Sequence, residues 1–278
     1  KCMDYFYNLK NTVKQALAED VGTCDLTAEL LEETTKATAK VIAKEPAVLC
    51  GKVWAEETIF QVDPEIRTEW QFEDGEEVAS GEILVTLDGK ARSILTAERT
   101  MLNFMQFLSA VATKTRYLAE KIKHTNSQLL DTRKTIPGLR LAQKYAVKIG
   151  GGQNHRIGLF DAFLIKENHI KAAGGIPNAI EKAKKVNNSA RIEIEVETLD
   201  ELKEALECEP DWILLDNFSI SDMMRAVEIA RQKVKLEASG GIGDINSLLE
   251  IAKTGVDFIS MGDLTKNIQA IDMSMLLD

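Results

Sequence analysis

The stretch RIEIEVETLDELKEALECEPDWILLDN, residues 191–217, places an amphipathic helix pattern between two short apolar runs. The runs, RIEIEVE and DWILLDN, have the length and the Ile, Val and Leu content of buried strands, and residues 199–208 between them have helical spacing. Two strands joined through a helix predict a parallel pair, because the chain must cross the sheet before the second strand can run in the same direction. The stretch therefore predicts an α/β fold with a parallel sheet.

The same alternation of run and helix extends in both directions from this stretch. Further apolar runs are QLLDTRK, DAFLIKEN, KLEASGG and DFISMG, at residues 128–134, 161–168, 235–241 and 257–262. Helical patterns lie near residues 137–149, 177–187, 219–232 and 244–254. The six units fall short of the eight of a complete α/β barrel, so an incomplete barrel and an open sheet are both alternatives.

Polar residues gather at the C-terminal ends of the runs, and this placement favours the barrel. In α/β barrels the strand ends meet at one mouth, where catalytic groups converge. We therefore expect one site there, formed by residues far apart in the sequence: Arg133, Lys134, Lys166, Glu195, Glu197, Asp216, Asn217, Ser239, Gly240, Gly262 and Asp263.

The N-terminal part of the chain has a different pattern. Period-two alternation in residues 37–51, 66–78 and 80–89 predicts a half-exposed antiparallel sheet. Helical spacing predicts helices over residues 5–20 and near residues 53–62, and residues 91–123, which contain no Gly or Pro, predict one long helix or two. Asp20 and Asp25 lie in a turn-rich segment and are interpreted as turn and cap residues rather than metal ligands.

These patterns divide the chain into two predicted domains. Residues 1–108 form an α+β domain and residues 109–266 form the α/β barrel that carries the site. The C-terminal tail, residues 267–278, is expected to pack with the first domain.

Composition describes an ordinary globular protein of 278 residues with a formal net charge of −10. No window approaches the roughly 18 apolar residues of a membrane span, the start KCMDYFYNLK does not have the pattern of a signal peptide, and the cytoplasm is the expected location. The cysteines form no Cys-x-x-Cys pair, so neither a disulfide framework nor a zinc site is indicated. They are Cys2, Cys24, Cys50 and Cys208.

Residues 131–171 form a cationic segment within this acidic chain. The segment has eight Lys or Arg against three acids, two of the three histidines, His155 and His169, and the triglycine at residues 150–152. Localised positive charge predicts a small, multiply anionic ligand, because a nucleic-acid surface would need positive charge spread widely. Arg140, Lys144 and Lys148 are set apart, since their i, i+4, i+8 spacing predicts a solvated helix face.

The residue types at the strand ends fit an anionic, phosphate-bearing ligand. Arg133 and Arg156 can each bind a carboxylate or phosphate through two parallel N–H bonds, and lysines supply compact charges. Glu195 and Asp216 suit Mg²⁺ or sugar hydroxyls, or serve as counter-charges to the lysines. Backbone N–H groups near the last two strands are predicted to hold phosphate. The residues concerned are Lys134, Lys166, Ser239, Gly240, Gly241 and Gly262, with Arg99 a further candidate on the long helix.

Several motifs together resemble those of the quinolinate phosphoribosyltransferase family, the decarboxylating enzymes of de novo NAD synthesis. The motifs extend over nearly the whole chain, and TRKT, NHR and KENH are the most specific of them. They are AEDVGTCDLT at 18–27, TAERTMLNFMQ at 96–106, DTRKTIPGLR at 131–140, GGGQNHRIGL at 150–159, DAFLIKENHI at 161–170, LLDNF at 214–218 and ASGGI at 238–242.

The resemblance implies a fold and an assembly. It implies an N-terminal α/β sandwich domain followed by an incomplete TIM-like α/β barrel. It also implies a homodimer in which Arg99 enters the partner's site, with higher oligomers left open, and Mg²⁺ as the cofactor with no organic cofactor.

The resemblance further assigns substrates and residue roles. Quinolinate would be bound by Arg99, Arg133, His155, Arg156 and Lys166. Phosphoribosyl pyrophosphate would be bound by Lys134, Glu195, Asp216, Ser239, Gly240, Gly241, Gly262 and Lys266, with Glu195 and Asp216 holding Mg²⁺ directly or through water. The catalytic set would be Lys134, Lys166, Glu195 and Asp216. Lys266 stands where the family often has histidine, so a cation is retained there but the proton-transfer chemistry of histidine is not.

Three other functions are weighed against this one. A molybdenum-operon homologue of the same fold shares TRKT and GGG but lacks the KENH motif present here. A Schiff-base lyase would use Lys166 as its amine, and borohydride trapping of an adduct would reveal it. A non-catalytic sensor of phosphorylated metabolites would bind without turnover.

Overall fold

The computed structural model describes residues 3–278, so Cys2 lies outside the described residues. The chain divides into two compact units. The first contains residues up to 116 together with residues 135–151 and 264–278, and the second contains residues 117–134 and 152–263. The predicted division at residue 108 stays a prediction. Cys24, Cys50 and Cys208 are free thiols.

The helices and strands follow the predicted order. Over residues 3–278 the helices are α1 Leu9–Val21, α2 Lys52–Val62, α3 Ala91–Ile122, α4 Arg140–Ile149, α5 Glu167–Ala173, α6 Ile176–Val186, α7 Leu199–Glu207, α8 Ile220–Ala230, α9 Ile245–Ala252 and α10 Asp263–Lys266. The strands are β1 Lys36–Ala43, β2 Ala47–Val48, β3 Arg67–Trp70, β4 Glu77–Val78, β5 Ile83–Lys90, β6 Gln128–Leu130, β7 Ala162–Ile165, β8 Arg191–Val196, β9 Trp212–Asp216, β10 Lys235–Ser239, β11 Phe258–Ser260 and β12 Met273–Leu277. The long helix predicted over residues 91–123 is confirmed as a single helix.

The described part of the first unit contains a four-stranded antiparallel sheet in the order β12-β1-β5-β3. Ala39, Val41 and Ala43 alternate along β1 as its buried face, which is the period-two pattern of a sheet with one side on a core. β12, from the end of the chain, pairs antiparallel with β1. Asp25 is confirmed as a turn residue, because its Oδ1 accepts hydrogen bonds from the N–H groups of Thr27 and Ala28.

The second unit is built on the parallel sheet that the opening stretch predicts. Its strands have the order β6-β11-β10-β9-β8-β7, and every ladder between neighbours is parallel. Among the described residues no ladder joins β7 back to β6, so the barrel is incomplete, as expected. An isolated bridge between Leu130 and Gln153 adds the loop before β7 to the outer edge of β6.

The register of this sheet arranges the inward-facing side chains in layers. Pairing aligns Glu193 with Trp212, Glu195 with Leu214 and Ser239 with Asp216. Because side chains alternate between the two faces of a strand, Glu193 and Glu195 lie on one face and the buried Ile192, Ile194 and Val196 on the other. The polar residues Glu195, Asp216 and Ser239 therefore lie on one face near the strand ends, and this group is called the upper layer.

The solvated face predicted for α4 is wrong at Lys144. Lys144 is fully buried, whereas Lys148, one turn later, is exposed. The buried residues of α4 include Ala142, Gln143, Lys144, Ala146 and Val147, so the helix is covered around most of its circumference. Charge spacing shows which residues share a helix face, but burial depends on what packs against that face.

Candidate active site

The upper layer of the second unit brings together a cation and the two predicted carboxylates. Glu195 is the next-to-last residue of β8 and Asp216 is the last residue of β9, and the ladder register places both on the same face of the sheet. Lys166 follows β7, and its Nζ lies 3.6 Å from Oε2 of Glu195. The Glu195 side chain is 14% exposed and that of Lys166 is 53% exposed, so the pair lies at the boundary between protein and solvent.

Burial and nearby charge act in opposite directions on Glu195. Burial raises the pKa of Glu195, the Lys166 charge lowers it, and the Asp216 charge raises it again. A cation placed near both carboxylates would relieve the repulsion between them. The pair is therefore suited to a divalent cation or to a cationic reaction centre.

A cavity of about 540 Å³ opens beside this layer. Its walls are apolar where β7 and α6 form them, with Phe163, Leu164, Ala179 and Ala183 among the lining residues. The charged and polar lining comes from residues that the sequence places up to 49 positions apart: Arg133, Arg156, Lys166, His169 and Lys182. An apolar slot surrounded by cations suits a flat, multiply anionic molecule.

The two guanidinium groups in this cavity repel each other. Burial lowers the pKa of Arg156, and the charge of Arg133 lowers it further, while Glu193 and Asp161 raise it. Two like charges held in a partly buried cavity are stabilised when an anion binds between them. This electrostatic arrangement favours binding of a carboxylate or phosphate.

Asp131, a buried acid, joins the segment that carries Arg156 to the end of β6. Its carboxylate accepts hydrogen bonds from the backbone N–H of His155, at 2.9 Å, and from Nδ2 of Asn154, at 2.6 Å. Backbone bonds from Gln153 N to Leu129 O and from Asp131 N to Gln153 O continue the connection. The Arg133 side and the Arg156 side of the cavity are therefore built on a single hydrogen-bonded unit.

Two glycine positions bring the backbone close to neighbouring strand ends. Gly240 has φ of +101°, and a Cβ built there would lie 2.2 Å from Oδ1 of Asn217. A Cβ on Gly262 would lie 2.8 Å from Cδ of Lys134. At Gly240 the positive φ and the close approach together require glycine, whereas at Gly262 the flexible Lys134 side chain could move aside. The turn after β10 and the turn after β11 thus expose backbone at the end of the sheet where Asp216 and Lys134 lie.

His155 is buried, and it contacts two glutamates that the sequence analysis missed. Its Nε2 lies 2.7 Å from Oε2 of Glu193 and 3.2 Å from Oε2 of Glu237. Burial alone would lower the pKa of His155, but the two carboxylates outweigh it and raise the value to about 9. Burial and the charge of Glu237 raise the pKa of Glu193 to about 7. The two carboxylates therefore favour the protonated form of the His155 ring.

A signal for these two glutamates was present in the sequence. Glu193 precedes Glu195 by two residues, and Glu237 precedes Ser239 by two, so each shares the inward face of its strand with a predicted site residue. An acid in the middle of a buried strand is uncommon unless it is paired. The sequence motifs indicated the residues at the strand ends, so Glu193 and Glu237, two residues earlier in their strands, were missed.

Comparison with known proteins was made against family models, curated sequences and solved structures. The models of the quinolinate phosphoribosyl transferase N-terminal and C-terminal domains match residues 25–109 and 111–276. The chain belongs to the quinolinate phosphoribosyltransferase family.

Individual members of the family match along most of their length. A chloroplastic nicotinate-nucleotide pyrophosphorylase [carboxylating] of Arabidopsis thaliana is 40% identical over 98% of this chain and 83% of its own. A probable nicotinate-nucleotide pyrophosphorylase [carboxylating] of Bacillus subtilis is 37% identical over 96% and 92%. The structure of the nicotinate-nucleotide pyrophosphorylase from Francisella tularensis superposes with a TM-score of 0.96 at 52% identity, covering 100% of this chain and 98% of that one.

Two residues with expected roles in a quinolinate phosphoribosyltransferase site lie outside the second unit. Arg99 is exposed on α3 and Lys266 is exposed at the end of α10, and both belong to the first unit. The residues that the structure brings together are therefore Arg133, Arg156 and Lys166 on the cavity, with the acids of the upper layer beside them. The roles of Arg99 and Lys266 stay predictions.

This quinolinate phosphoribosyltransferase family member has two groupings of side chains that could bind a metal ion in the part of the chain that the structure describes. The single cluster of three His, Cys or acidic side chains within residues 3–278 is the buried set His155, Glu193 and Glu237. Glu195 and Asp216 form a pair, which is the number of carboxylates that Mg²⁺ shared with phosphate oxygens usually needs. In the same part of the chain, none of the helices is both long and apolar enough to cross a lipid bilayer.

Proposed function

We propose that this protein transfers the phosphoribosyl group of phosphoribosyl pyrophosphate to quinolinate and releases CO₂, which gives nicotinate mononucleotide and pyrophosphate for NAD biosynthesis. The observation that carries the proposal is the single cavity lined by Arg133, Arg156 and Lys166 next to Glu195 and Asp216. Family membership over nearly the full chain supports it.

Quinolinate, a flat dianion, fits the chemistry of the cavity. Arg133 and Arg156 bind its carboxylates through paired N–H groups, and Lys166 supplies a third cation. His155, just beneath, contributes positive charge, and Arg99 of a partner subunit completes the set. The apolar walls around Phe163 and Leu164 suit the faces of the pyridine ring.

Phosphoribosyl pyrophosphate occupies the strand-end layer. Its 5′-phosphate lies on the backbone of the turn at Ser239, Gly240 and Gly241, with Gly262 opposite, because exposed N–H groups in such turns bind phosphate. Asp244 already accepts the free N–H groups of Asn246 and Ser247 at the start of α9, so the turn rather than that helix end supplies the donors. Lys134 and Lys266 contact the pyrophosphate.

The reaction uses charge placement rather than a covalent intermediate. As pyrophosphate leaves C1′, positive charge develops on the ribose, and the carboxylates of Glu195 and Asp216 stabilise it while Lys134 stabilises the leaving group. The pyridine nitrogen then bonds to C1′ and becomes cationic. That ring accepts the electron pair left when the C2 carboxylate departs as CO₂, and a proton replaces CO₂ at C2.

Glu195 and Asp216 are the residues proposed to hold Mg²⁺. The mutual repulsion of the two carboxylates and the partial burial of Glu195 fit a hard divalent cation. When bound, Mg²⁺ neutralises charge on the pyrophosphate that is released.

The assay that tests this function follows pyrophosphate and CO₂ from purified protein mixed with quinolinate and phosphoribosyl pyrophosphate. We expect both products in equal amounts with Mg²⁺. Chelation of the metal should lower turnover by roughly 10² or more, because a bound cation contributes several kcal/mol of charge stabilisation. Failure to form nicotinate mononucleotide would contradict the function, and a borohydride-trapped adduct on Lys166 would favour the lyase. Unchanged turnover without metal would contradict only the Mg²⁺ site.

We also propose a homodimer in which each site uses Arg99 of the partner subunit. Arg99→Ala and Lys166→Ala are each expected to inactivate the protein, but their co-expression should recover about a quarter of wild-type activity, because half of the dimers are mixed and each mixed dimer has one intact site. Activity of co-expressed and separately purified variants provides the measurement. If Arg99 acts within its own subunit, no mixed dimer has an intact site and no activity returns. The cytoplasmic location stays a prediction.

A further inference from the structure

We infer that Glu193 and Glu237 are positioning residues for quinolinate binding, because they hold the His155 ring and thereby fix the segment that presents Arg156 to the cavity. This inference rests on the proposed function and deepens it. Neither glutamate lines the cavity, and neither role follows from the motifs.

The segment from Gln153 to Arg156 is attached to strands on both sides of the sheet. At β6, the Gln153 N–H donates to the Leu129 carbonyl oxygen, and the Asp131 carboxylate accepts from the His155 N–H. At β8 and β10, Glu193 and Glu237 contact the His155 ring. Arg156 is the next residue along the chain, so the contacts of His155 determine where the Arg156 side chain begins.

A purely structural role does not account for two fully buried acids. Glu193 is 0% exposed and Glu237 is 1% exposed, and within the described residues Glu193 Oε1 has no hydrogen-bond partner, while Glu237 Oε2 makes the 3.2 Å ion-pair contact with His155 without a hydrogen bond. Packed apolar residues of similar volume commonly give equal or greater stability than such buried charges. The buried charges of Glu193 and Glu237 are best explained by their effect on His155 and on the cations that line the cavity.

Aromatic rings flank the cluster. Trp212 stacks on Phe258 with ring centroids 4.3 Å apart, and the Arg191 guanidinium carbon lies 3.9 Å from the centre of the Trp212 ring. Trp212 is the register partner of Glu193, and Phe258 is that of Glu237, so the two rings lie beside the glutamates on neighbouring strands. Because Glu193, Glu237 and His155 are themselves buried, the charges of the two glutamates act on the His155 ring under little screening by water.

The site also needs a rigid support. Arg133 and Arg156 repel each other, and without an anion their side chains would separate. Tight binding of a rigid dianion requires both guanidinium groups to be in place beforehand. The contacts of His155 with Glu193 on β8 and Glu237 on β10 hold in place the backbone from which the Arg156 side chain extends.

Replacement of Glu237 with glutamine removes the charge and retains the shape. In Glu237→Gln and in Glu193→Gln, we expect KM for quinolinate to rise roughly 10-fold, as is typical when a supporting residue is lost, while KM for phosphoribosyl pyrophosphate stays within about twofold. Steady-state kinetics with each substrate varied measures the split. Ser127→Ala is the matched control, because Ser127 is also buried in the second unit. Its hydroxyl donates to the carbonyl oxygen of Val256, and both residues lie just before the start of a strand, β6 and β11. This substitution should lower the melting temperature without moving either KM.

The ring of His155 gives a readout that does not depend on turnover. The chain has three histidines, His124, His155 and His169, so ¹⁵N-histidine NMR resolves the His155 ring N–H. We expect that signal to be protected in the wild type, to change in both variants, and to shift when quinolinate is added. If a variant does not fold, the wild-type protein provides the test. A His155 ring N–H signal that does not shift when quinolinate is added would overturn the inference.

The failures of the two proposals are distinguishable. A wild-type protein that forms no pyrophosphate from quinolinate removes the proposed function. An active wild type whose glutamine variants keep both KM values, or lose affinity for both substrates equally, overturns the positioning role alone.

Discussion

Replacing Lys166 with alanine should lower kcat/KM for quinolinate by roughly 10² or more while the protein stays folded. Lys166 lies at the end of β7, lines the cavity with Arg133 and Arg156, and has its Nζ 3.6 Å from Glu195. Losses of this size are typical when a group placed to stabilise developing charge is removed. Arg133→Ala should have a loss of the same order, because it removes a bidentate carboxylate donor from the same cavity.

The folded state should tolerate the Lys166 change. The side chain is about half exposed, and ion pairs at such positions contribute roughly 0–1 kcal/mol to the free energy of unfolding. Lys171→Ala is the matched control, since Lys171 is an exposed lysine five residues later that pairs with Glu167 on α5. Kinetics and thermal melting of the three variants give the comparison. Near-normal turnover in Lys166→Ala would refute the assigned site, as would an equal loss in Lys171→Ala.

Alanine at Gly240 should raise KM for phosphoribosyl pyrophosphate by about 10². The φ of +101° is unfavourable for any residue with a Cβ, and the new carbon would approach Oδ1 of Asn217 to 2.2 Å. Relief requires a shift of the turn or of Asn217, whose N–H bonds to Ser239 O at the end of β10. A displacement of about 1 Å in a substrate-positioning segment is enough for a 10²-fold loss.

Gly243→Ala is the control for that substitution. Gly243 lies three residues further in the same loop, and a Cβ there would come no closer than 4.0 Å to the Gly241 carbonyl oxygen. We expect its kinetics to match the wild type within about twofold. Wild-type KM values in Gly240→Ala would show that the turn after β10 does not bind the phosphoribosyl group.

Much of the second unit could be predicted because its strands are short and buried on both faces. The runs RIEIEVE and DWILLDN are strands β8 and β9, and the helix predicted over residues 199–208 is α7. Parallel strands joined through a helix are almost always connected by a right-handed crossover, so these strands run in the same direction and their C-terminal ends lie at one edge of the sheet. Placing Lys166, Glu195 and Asp216 at one edge followed from that rule.

Burial of charged groups was where prediction failed. Lys144 was expected in solvent because its helix spacing matched a charged stripe, yet it is fully buried. Glu193 and Glu237 were overlooked because the strand ends carried the recognisable motifs. In each case the local pattern predicts which face of the helix or strand a side chain lies on, but not which residues pack against that face.

The amino-acid sequence alone determined the parallel α/β architecture, the family and the residues gathered at the strand ends, because periodicity and motif spacing are local properties of the chain. Tertiary structure decided which cations share a cavity, how far Lys166 lies from Glu195, and that His155 rests on Glu193 and Glu237. Those facts depend on ladder register and on packing between residues up to 82 positions apart, from His155 to Glu237. A one-residue change of register would turn each of these side chains to the opposite face, so only the folded sheet specifies them.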